Sequence, residues 1–446
     1  MSSISFVRRQ ACPSLRRSAI VSIFSLIGIV TIISDSFAGG PSLSLTQAQG
    51  LARERSRQLV ATDFAVAASR DMAVSAGQLP DPVLKVGLDN LPISGADRFS
   101  LTNDFMTMRR IGVMQEITSA GKRRLRSDRY ERTAEKSLAE KEATTATIER
   151  DTALAYLDLY YALAMANVVA DQGTQARLEM QAAEGGYRAG RNSQADVVAA
   201  RSALALFDDR ASELGRRVSN ARTTLARWIG PPAQLELAGL PDINAIRLDP
   251  ATLDTALAHH PEIAVLNLQV AVAESEAKLA DANRKSDWSV ELAYQQRGPA
   301  FSNMVSVGVS IPWQWDQKNR QDRELSSKLA LVEQAKAERD EMLRQHVAET
   351  RTMIEEWQND RERVARFDRE IVPLANQKTV ATLAAYRGGK ANLMDVLGAR
   401  RSEIEAHIQT LQLQAGTARL WAKLNFLFPA NSASHDSGDV PHGEPK

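Results

Sequence analysis

The sequence holds a single cysteine, Cys12. That residue lies in an N-terminal segment that reads as a removable secretory signal (residues 1–38). Arg8, Arg9, Arg16 and Arg17 precede an apolar run from Ala19 to Ile33. Ser36-Phe37-Ala38 then offers small residues where a signal peptidase cuts, so cleavage is expected after Ala38. The expected mature chain therefore has no cysteine. That excludes disulfides and thiolate metal sites, and it leaves nothing for the usual lipid attachment. Aromatic residues are also scarce, at 5 %, which is low for a chain of 446 residues with a large globular core. An excess of either charge is missing too. The formal net charge is +1, so nothing marks a nucleic-acid partner. After residue 33 no segment reads as a transmembrane helix. If the mature chain enters a membrane, it must do so as strands of a closed barrel.

Catalytic signatures are missing as well. There is no nucleophile motif, no glycine-rich phosphate loop and no carboxylate pair in a supporting context, so an enzyme and a bound cofactor are not expected. The six histidines give no zinc-site spacing. His259 and His260 precede Pro261-Glu262-Ile263 at an expected helix start, where a structural role is favoured. His346 and His407 are isolated. His435, Asp436, Asp439, His442 and Glu444 fall in a polar tail (429–446) that is expected to be disordered and at most a weak cation binder.

What the chain does have is a long-range repeat. Tyr187-Arg188-x-Gly190 followed by Asp196-Val197-x-x-Ala200-Arg201 recurs 199 residues later as Tyr386-Arg387-x-Gly389 followed by Asp395-Val396-x-x-Ala399-Arg400. Two copies at that separation are too few and too far apart for a solenoid, so the reading is a duplicated half. Four segments alternate with period two. Leu84, Val86 and Leu88 oppose Lys85, Gly87 and Asp89. Ile111, Val113 and Ile117 oppose Arg110, Gly112 and Glu116. Trp288, Val290, Leu292 and Tyr294 oppose Ser289, Glu291, Ala293 and Gln295. Val305, Val307, Val309, Ile311 and Trp313 oppose Ser306, Gly308 and Ser310. At about nine to eleven residues each they have the length of tilted membrane strands. They form two hairpins, 83–117 and 288–313. Trp288 opens the third strand, and Trp313 and Trp315 close the fourth, where an aromatic girdle belongs. A half-buried soluble sheet would alternate in the same way.

The remainder reads as helix: 45–78, 122–185 and 195–228 in a first half (39–230), and 251–283, 318–385 and 396–428 in a second (251–428). A Gly/Pro-marked linker, 231–250, joins them. The two longest helices would run about 95–100 Å, which demands a coiled coil or helical barrel rather than a globule. Gly173 and Pro373 are expected to weaken them above the repeat motifs. The motif sits at the far end of each long helix, with Gly190 and Gly389 in a turn.

With the two Tyr-x-x-Gly…Asp-Val motifs, the duplicated helix–hairpin–helix order, and Gly112-Val113-x-Gln115-Glu116 followed by Gly121-Lys122-Arg123, the chain resembles the TolC-like outer-membrane efflux proteins from Leu45 to Pro429. Leu79-Pro80-Asp81-Pro82 with Asn90-Leu91-Pro92 is similar to the branch serving heavy-metal pumps of the resistance-nodulation-division class. The resemblance implies a mainly α protein with a membrane β-barrel. As a homotrimer it would make a 12-stranded barrel in the outer membrane and a long α-helical barrel across the periplasm of a Gram-negative bacterium. Its expected partners are lipid, a periplasmic adaptor and an inner-membrane pump, and its expected cargo is divalent heavy-metal cations.

By the same resemblance, the aperture and docking tip would include Tyr187, Arg188, Gly190, Asp196, Tyr386, Arg387, Gly389 and Asp395. Asp395 matches an aperture aspartate, and Tyr386 and Asp196 match closed-state contacts. A second aperture aspartate of the family falls on Gly398 and a gating arginine on Ala391, with Lys390 and Arg387 nearby. Three copies of Asp395 would make an anionic ring. Asp196 and Asp395 would equally serve as helix caps. Drug efflux and type I protein export are alternatives on the same fold. A soluble periplasmic coiled-coil adaptor or scaffold is an alternative of another class.

Overall fold

The structure, a computed structural model, describes residues 42–190 and 193–429. The expected signal segment and all but the first residue of the tail, with its histidines, lie outside the described residues. The element order repeats: helices α1 (Leu45–Arg55) and α2 (Arg57–Ala76), strands β1 (Val83–Asp89) and β2 (Met108–Ile117), then helices α3 (Ala120–Arg188) and α4 (Gln194–Ile229). After a turn at Pro231–Gln234 come α5 (Leu253–Ala258), α6 (Pro261–Ala282), β3 (Trp288–Gln296), β4 (Met304–Ser310), α7 (Gln321–Arg366), α8 (Val372–Arg387) and α9 (Leu393–Asn425).

Several boundaries depart from the sequence reading, each for a local reason. The helix expected over 45–78 is two helices. Ser56 is extended (ψ 114°), and its hydroxyl accepts from the Leu59 N–H, so it ends one helix and caps the next. The helix expected over 251–283 is likewise split. Pro261 cannot donate a backbone hydrogen bond, so it starts α6 behind His260. Gly173 does not interrupt α3, which runs 69 residues without a break. A lone glycine costs only about 1 kcal/mol in a helix, and packing on both sides of it offsets that.

Pro373 does act. Between α7 and α8, residues Phe367–Ile371 form a wider π-helical turn, in which the Val372 N–H reaches back to the Phe367 carbonyl. A proline has no N–H and its ring crowds the carbonyl four residues earlier, so the ladder opens just before it.

The four strands form one antiparallel sheet in the order β1-β2-β3-β4. The register aligns Leu84, Val113, Leu292 and Val307 in one row and Val86, Ile111, Tyr294 and Val305 in the next. All eight are exposed, Val86 at 75 % and Val307 at 71 %. The opposite face carries an ionic cluster. Lys85 lies 2.7 Å from Glu291, and Arg110 pairs with Glu291 and with Asp89. β2 and β3 keep the expected length at 10 and 9 residues, but β1 and β4 have 7. Asn90 turns out of the strand at φ 56°, and Pro312 cannot continue the ladder. Trp313 and Trp315 thus lie past the end of β4 rather than closing it. They are 86 % and 89 % exposed, at the same end of the hairpin as Trp288, since the Ser286 hydroxyl donates to the Pro312 carbonyl at 2.6 Å.

The seam between the halves is the β2–β3 pair. A Cβ on Gly112 would sit 2.8 Å from the Ala293 Cβ, so only glycine permits this approach. Beneath the seam, the buried Lys122 at the start of α3 reaches Asp287 at 3.0 Å and the Lys285 carbonyl.

The main core lies far below the sheet, where the middle of α3 meets α1, α5 and the distal parts of α4, α7 and α9. Tyr156, Leu157, Leu159 and Tyr161 of α3 are fully or almost fully buried there. Each fully buried leucine contributes about 1.5–3 kcal/mol. One stretch of α3 is apolar enough to cross a membrane by length and composition, contrary to the expectation that no later segment reads that way. These core residues account for it. Around the same level Leu43 bridges in parallel to Leu237. The Tyr156 hydroxyl lies 3.0 and 2.9 Å from the carbonyls of Leu43 and Gly239. Burial raises the pKa of Tyr156 above the usual phenol range and pushes Tyr161 up to about 12.

Candidate functional site: the paired helical turns

The two copies of the repeat motif form two helix–turn–helix ends. α3 stops at Arg188 and α8 at Arg387. Gly190 (φ 71°) and Gly389 (φ 70°) are left-handed, as a glycine after a helix C-terminus allows at no steric cost. Each donates its N–H back three residues, to Tyr187 and Tyr386 respectively, at 3.0 Å. In the second copy the Lys390 N–H also reaches the Ala385 carbonyl at 2.8 Å, completing the double bond pattern that seals a helix end.

The aspartates start the next helices. The Ser193 N–H donates to Asp196 Oδ2 at 2.8 Å, and the Asp196 N–H donates to Ser193 Oγ at 3.2 Å. In the second copy the Asn392 N–H donates to Asp395 Oδ2 at 3.1 Å, and the Asp395 N–H donates to Asn392 Oδ1 at 2.8 Å. Both are reciprocal capping boxes. The hydrogen bonds from the Ser193 backbone and hydroxyl hold Asp196 below the usual carboxylate range.

The two ends pack on each other within one chain. Ala183 and Ala200 of the first half bury Leu393 of the second, with Met180, Tyr386 and Leu397 around them. Tyr386 is thus part of the contact, whereas Tyr187 is half exposed.

The arginines that close the two motifs do different work. Arg201 of α4 reaches back to Glu184 of α3 within its own half, at 2.8 Å and in the open. That contact holds Glu184 below the usual carboxylate range. Position 383, which corresponds to Glu184 in the second half, is Leu383. Arg400 instead crosses to Glu179 of the first half at 2.9 Å, with Glu403 at 3.7 Å, and all three side chains are 12–14 % exposed. The sequence places Arg400 within the motif but not among the expected aperture residues, and it does not mark Glu179. Glu179 has no signal of its own, because the partner lies 221 positions away. Gly398 and Ala391 bring no charge to this end. Beside it, an open groove of about 460 Å³ runs between α4 and α9, lined by Leu206, Phe207, Met394 and Leu397 among others.

The profile of the outer membrane efflux protein family matches residues 49–231 and 252–428, one stretch in each half. The chain belongs to that family. The protein is therefore a passive outer-membrane channel rather than an enzyme or a soluble adaptor, and it extends into the periplasm of a Gram-negative cell. Members work in tripartite efflux systems, which brings an adaptor and a pump as partners.

The channel is 24 % identical over 386 residues to the cobalt-zinc-cadmium resistance protein CzcC of Cupriavidus metallidurans, covering 84 % of this chain and 87 % of the relative. Among solved structures, CusC superposes with a TM-score of 0.72 at 14 % identity, covering 86 % of this chain and 92 % of that one. VceC of Vibrio cholerae does so at 0.71 and 19 %, covering 86 % and 95 %. These two establish the fold.

Proposed function

We propose that the channel exports divalent heavy-metal cations, working as a homotrimer with a periplasmic adaptor and an inner-membrane pump of the resistance-nodulation-division class. The observation that carries the trimer is the sheet. Within one chain, β1 and β4 each pair on one side only, and one whole face is apolar and exposed. Open edges do not persist in a bilayer. Three copies joined β4 to β1 close a twelve-stranded barrel, with the apolar rows on lipid and the Lys85–Glu291–Arg110–Asp89 cluster on the water-filled side. Trp288, Trp313 and Trp315 then form the aromatic girdle at the periplasmic rim.

In this reading residues 39–230 and 251–428 are the two structural repeats, 231–250 the linker, 1–38 a cleaved signal and 429–446 a tail. The paired turns are the periplasmic aperture and docking tip, with Tyr187, Arg188, Gly190, Asp196, Tyr386, Arg387, Gly389 and Asp395. Capping uses one oxygen of Asp395, and the side chain is exposed. It can therefore cap its helix and still face two symmetry mates as an anionic ring. The Arg400–Glu179 pair joins the halves and is the closed-state latch.

The cargo class rests on the resemblance to CzcC over most of both chains. Deleting the gene and scoring growth on zinc, cobalt, cadmium, copper and silver salts tests it. Lost resistance restored by the intact gene is expected. Unchanged metal resistance with lost drug resistance or protein export would replace this cargo with the alternative one.

A further inference from the structure

Where α5, α6 and α7 meet the end of α9, three side chains converge away from the sheet and the paired turns. His260 caps α6, Glu262 lies in its first turn, and His346 comes from α7. His346 Nε2 is 2.9 Å from Glu262 Oε2. The two imidazoles lie 4.7 Å apart between centroids, and one ligand atom from each of the three residues falls within 4.8 Å of the others. We propose that His260, Glu262 and His346 bind one divalent cation of the zinc or cobalt class and clamp α6 to α7.

Two neutral imidazoles and a carboxylate suit zinc, cobalt or nickel, while calcium and magnesium prefer all-oxygen sets. Ligand atoms about 2.0–2.1 Å from a tetrahedral zinc lie roughly 3.3 Å from one another. The His346–Glu262 pair must therefore open by a few tenths of an ångström, and His260 must move by no more than about 1.5 Å.

The ring of His260 is already oriented for this. Its Nδ1 accepts the Glu262 N–H at a long 3.3 Å, a weak bond to give up. The Leu427 backbone also lies beside this ring. The edge of Phe428 packs on the same ring at 5.6 Å. The charged groups facing the site are Glu262 and Arg150, and Arg150 is itself engaged by Asp151 at 3.0 Å. His260 is buried and His346 nearly so, but Glu262 is half exposed, which leaves a path for the ion and a water as fourth ligand.

The test uses the purified full chain in detergent, stripped with a chelator. Zinc is titrated calorimetrically, and cobalt by its visible absorption. A His435→Ala/His442→Ala variant removes the tail imidazoles. One zinc per chain is expected in the wild type and in the tail variant, with cobalt bands of four-coordinate intensity. His346→Ala and the surface change Glu262→Gln should each weaken binding at least about tenfold. Glu262→Gln alters a half-exposed residue, so it answers even where His346→Ala does not fold. Wild-type affinity in Glu262→Gln, or loss of the bound zinc in the tail variant, would overturn the proposal. This inference concerns a site on the wall of the channel and stands whatever the cargo proves to be.

Discussion

The two long arms of the channel end in the same motif but reach it differently. In the first half, α3 runs unbroken from Ala120 to Arg188. In the second, the equivalent path is interrupted at Phe367–Ile371, ahead of Pro373, and resumes as the 16-residue α8. The first-half arginine, Arg201, pairs locally with Glu184, whereas Arg400 of the second half crosses to Glu179. One arm is continuous and self-contained. The other is jointed and held by the first. Duplication thus supplies the scaffold, and a few unmatched residues make the two copies differ.

The sharpest way to break this comparison is to remove each arginine. Arg400→Ala leaves Glu179 and Glu403 facing each other with little solvent, at a cost of about 3 kcal/mol, which is over a hundredfold in an open–closed equilibrium. Single-channel recording in planar bilayers should show a large rise in open probability. Arg201→Ala removes an exposed pair worth about 0–1 kcal/mol and should leave the trace near that of the wild type.

The joint comes next. Pro373→Ala restores a backbone donor and should let the helix ladder close, lowering efflux several-fold in a resistance assay. Gly173→Ala faces open space and gains about 1 kcal/mol of helix propensity, so it should raise the melting temperature slightly without changing transport. Equal behaviour of the two variants would remove the distinction between the arms.

A smaller and symmetric effect is expected at the turns. Gly190→Ala and Gly389→Ala force a side chain into left-handed backbone at about 1–2 kcal/mol each, and their melting temperatures should fall alike. The smallest effect concerns pH. A carboxylate whose folded pKa is lowered contributes stability above its unfolded pKa and loses it as pH falls through the folded value. Asp196 should therefore hold its cap unchanged from pH 7 to 5. Thermal melts of Asp196→Asn and wild type should differ by a constant amount over that range.

Much of this was legible in the sequence because it is periodic or local. The strand rows, the helices and the two Gly turns follow from alternation, spacing and backbone chemistry. The capping boxes were open to the same reading, since Ser193 and Asn392 stand three residues before their aspartates. What stayed hidden depends on distant partners. Nothing local pairs Glu179 with Arg400, or His346 with Glu262. Both Gly173 and Pro373 read as breakers, but only Pro373 interrupts its helix. Packing absorbs a missing side chain, but nothing replaces a missing N–H.

The most direct test places a nitroxide on each arm in turn. Ala195 and Met394 are equivalent, exposed positions of the two motif copies, and the only native cysteine is Cys12. Distances between like labels in the proposed trimer are measured by double electron–electron resonance in wild type and in Arg400→Ala. The account predicts that the Met394→Cys distances lengthen and spread while the Ala195→Cys distances hold. Equal movement of both labels, or movement at Ala195→Cys alone, would contradict it.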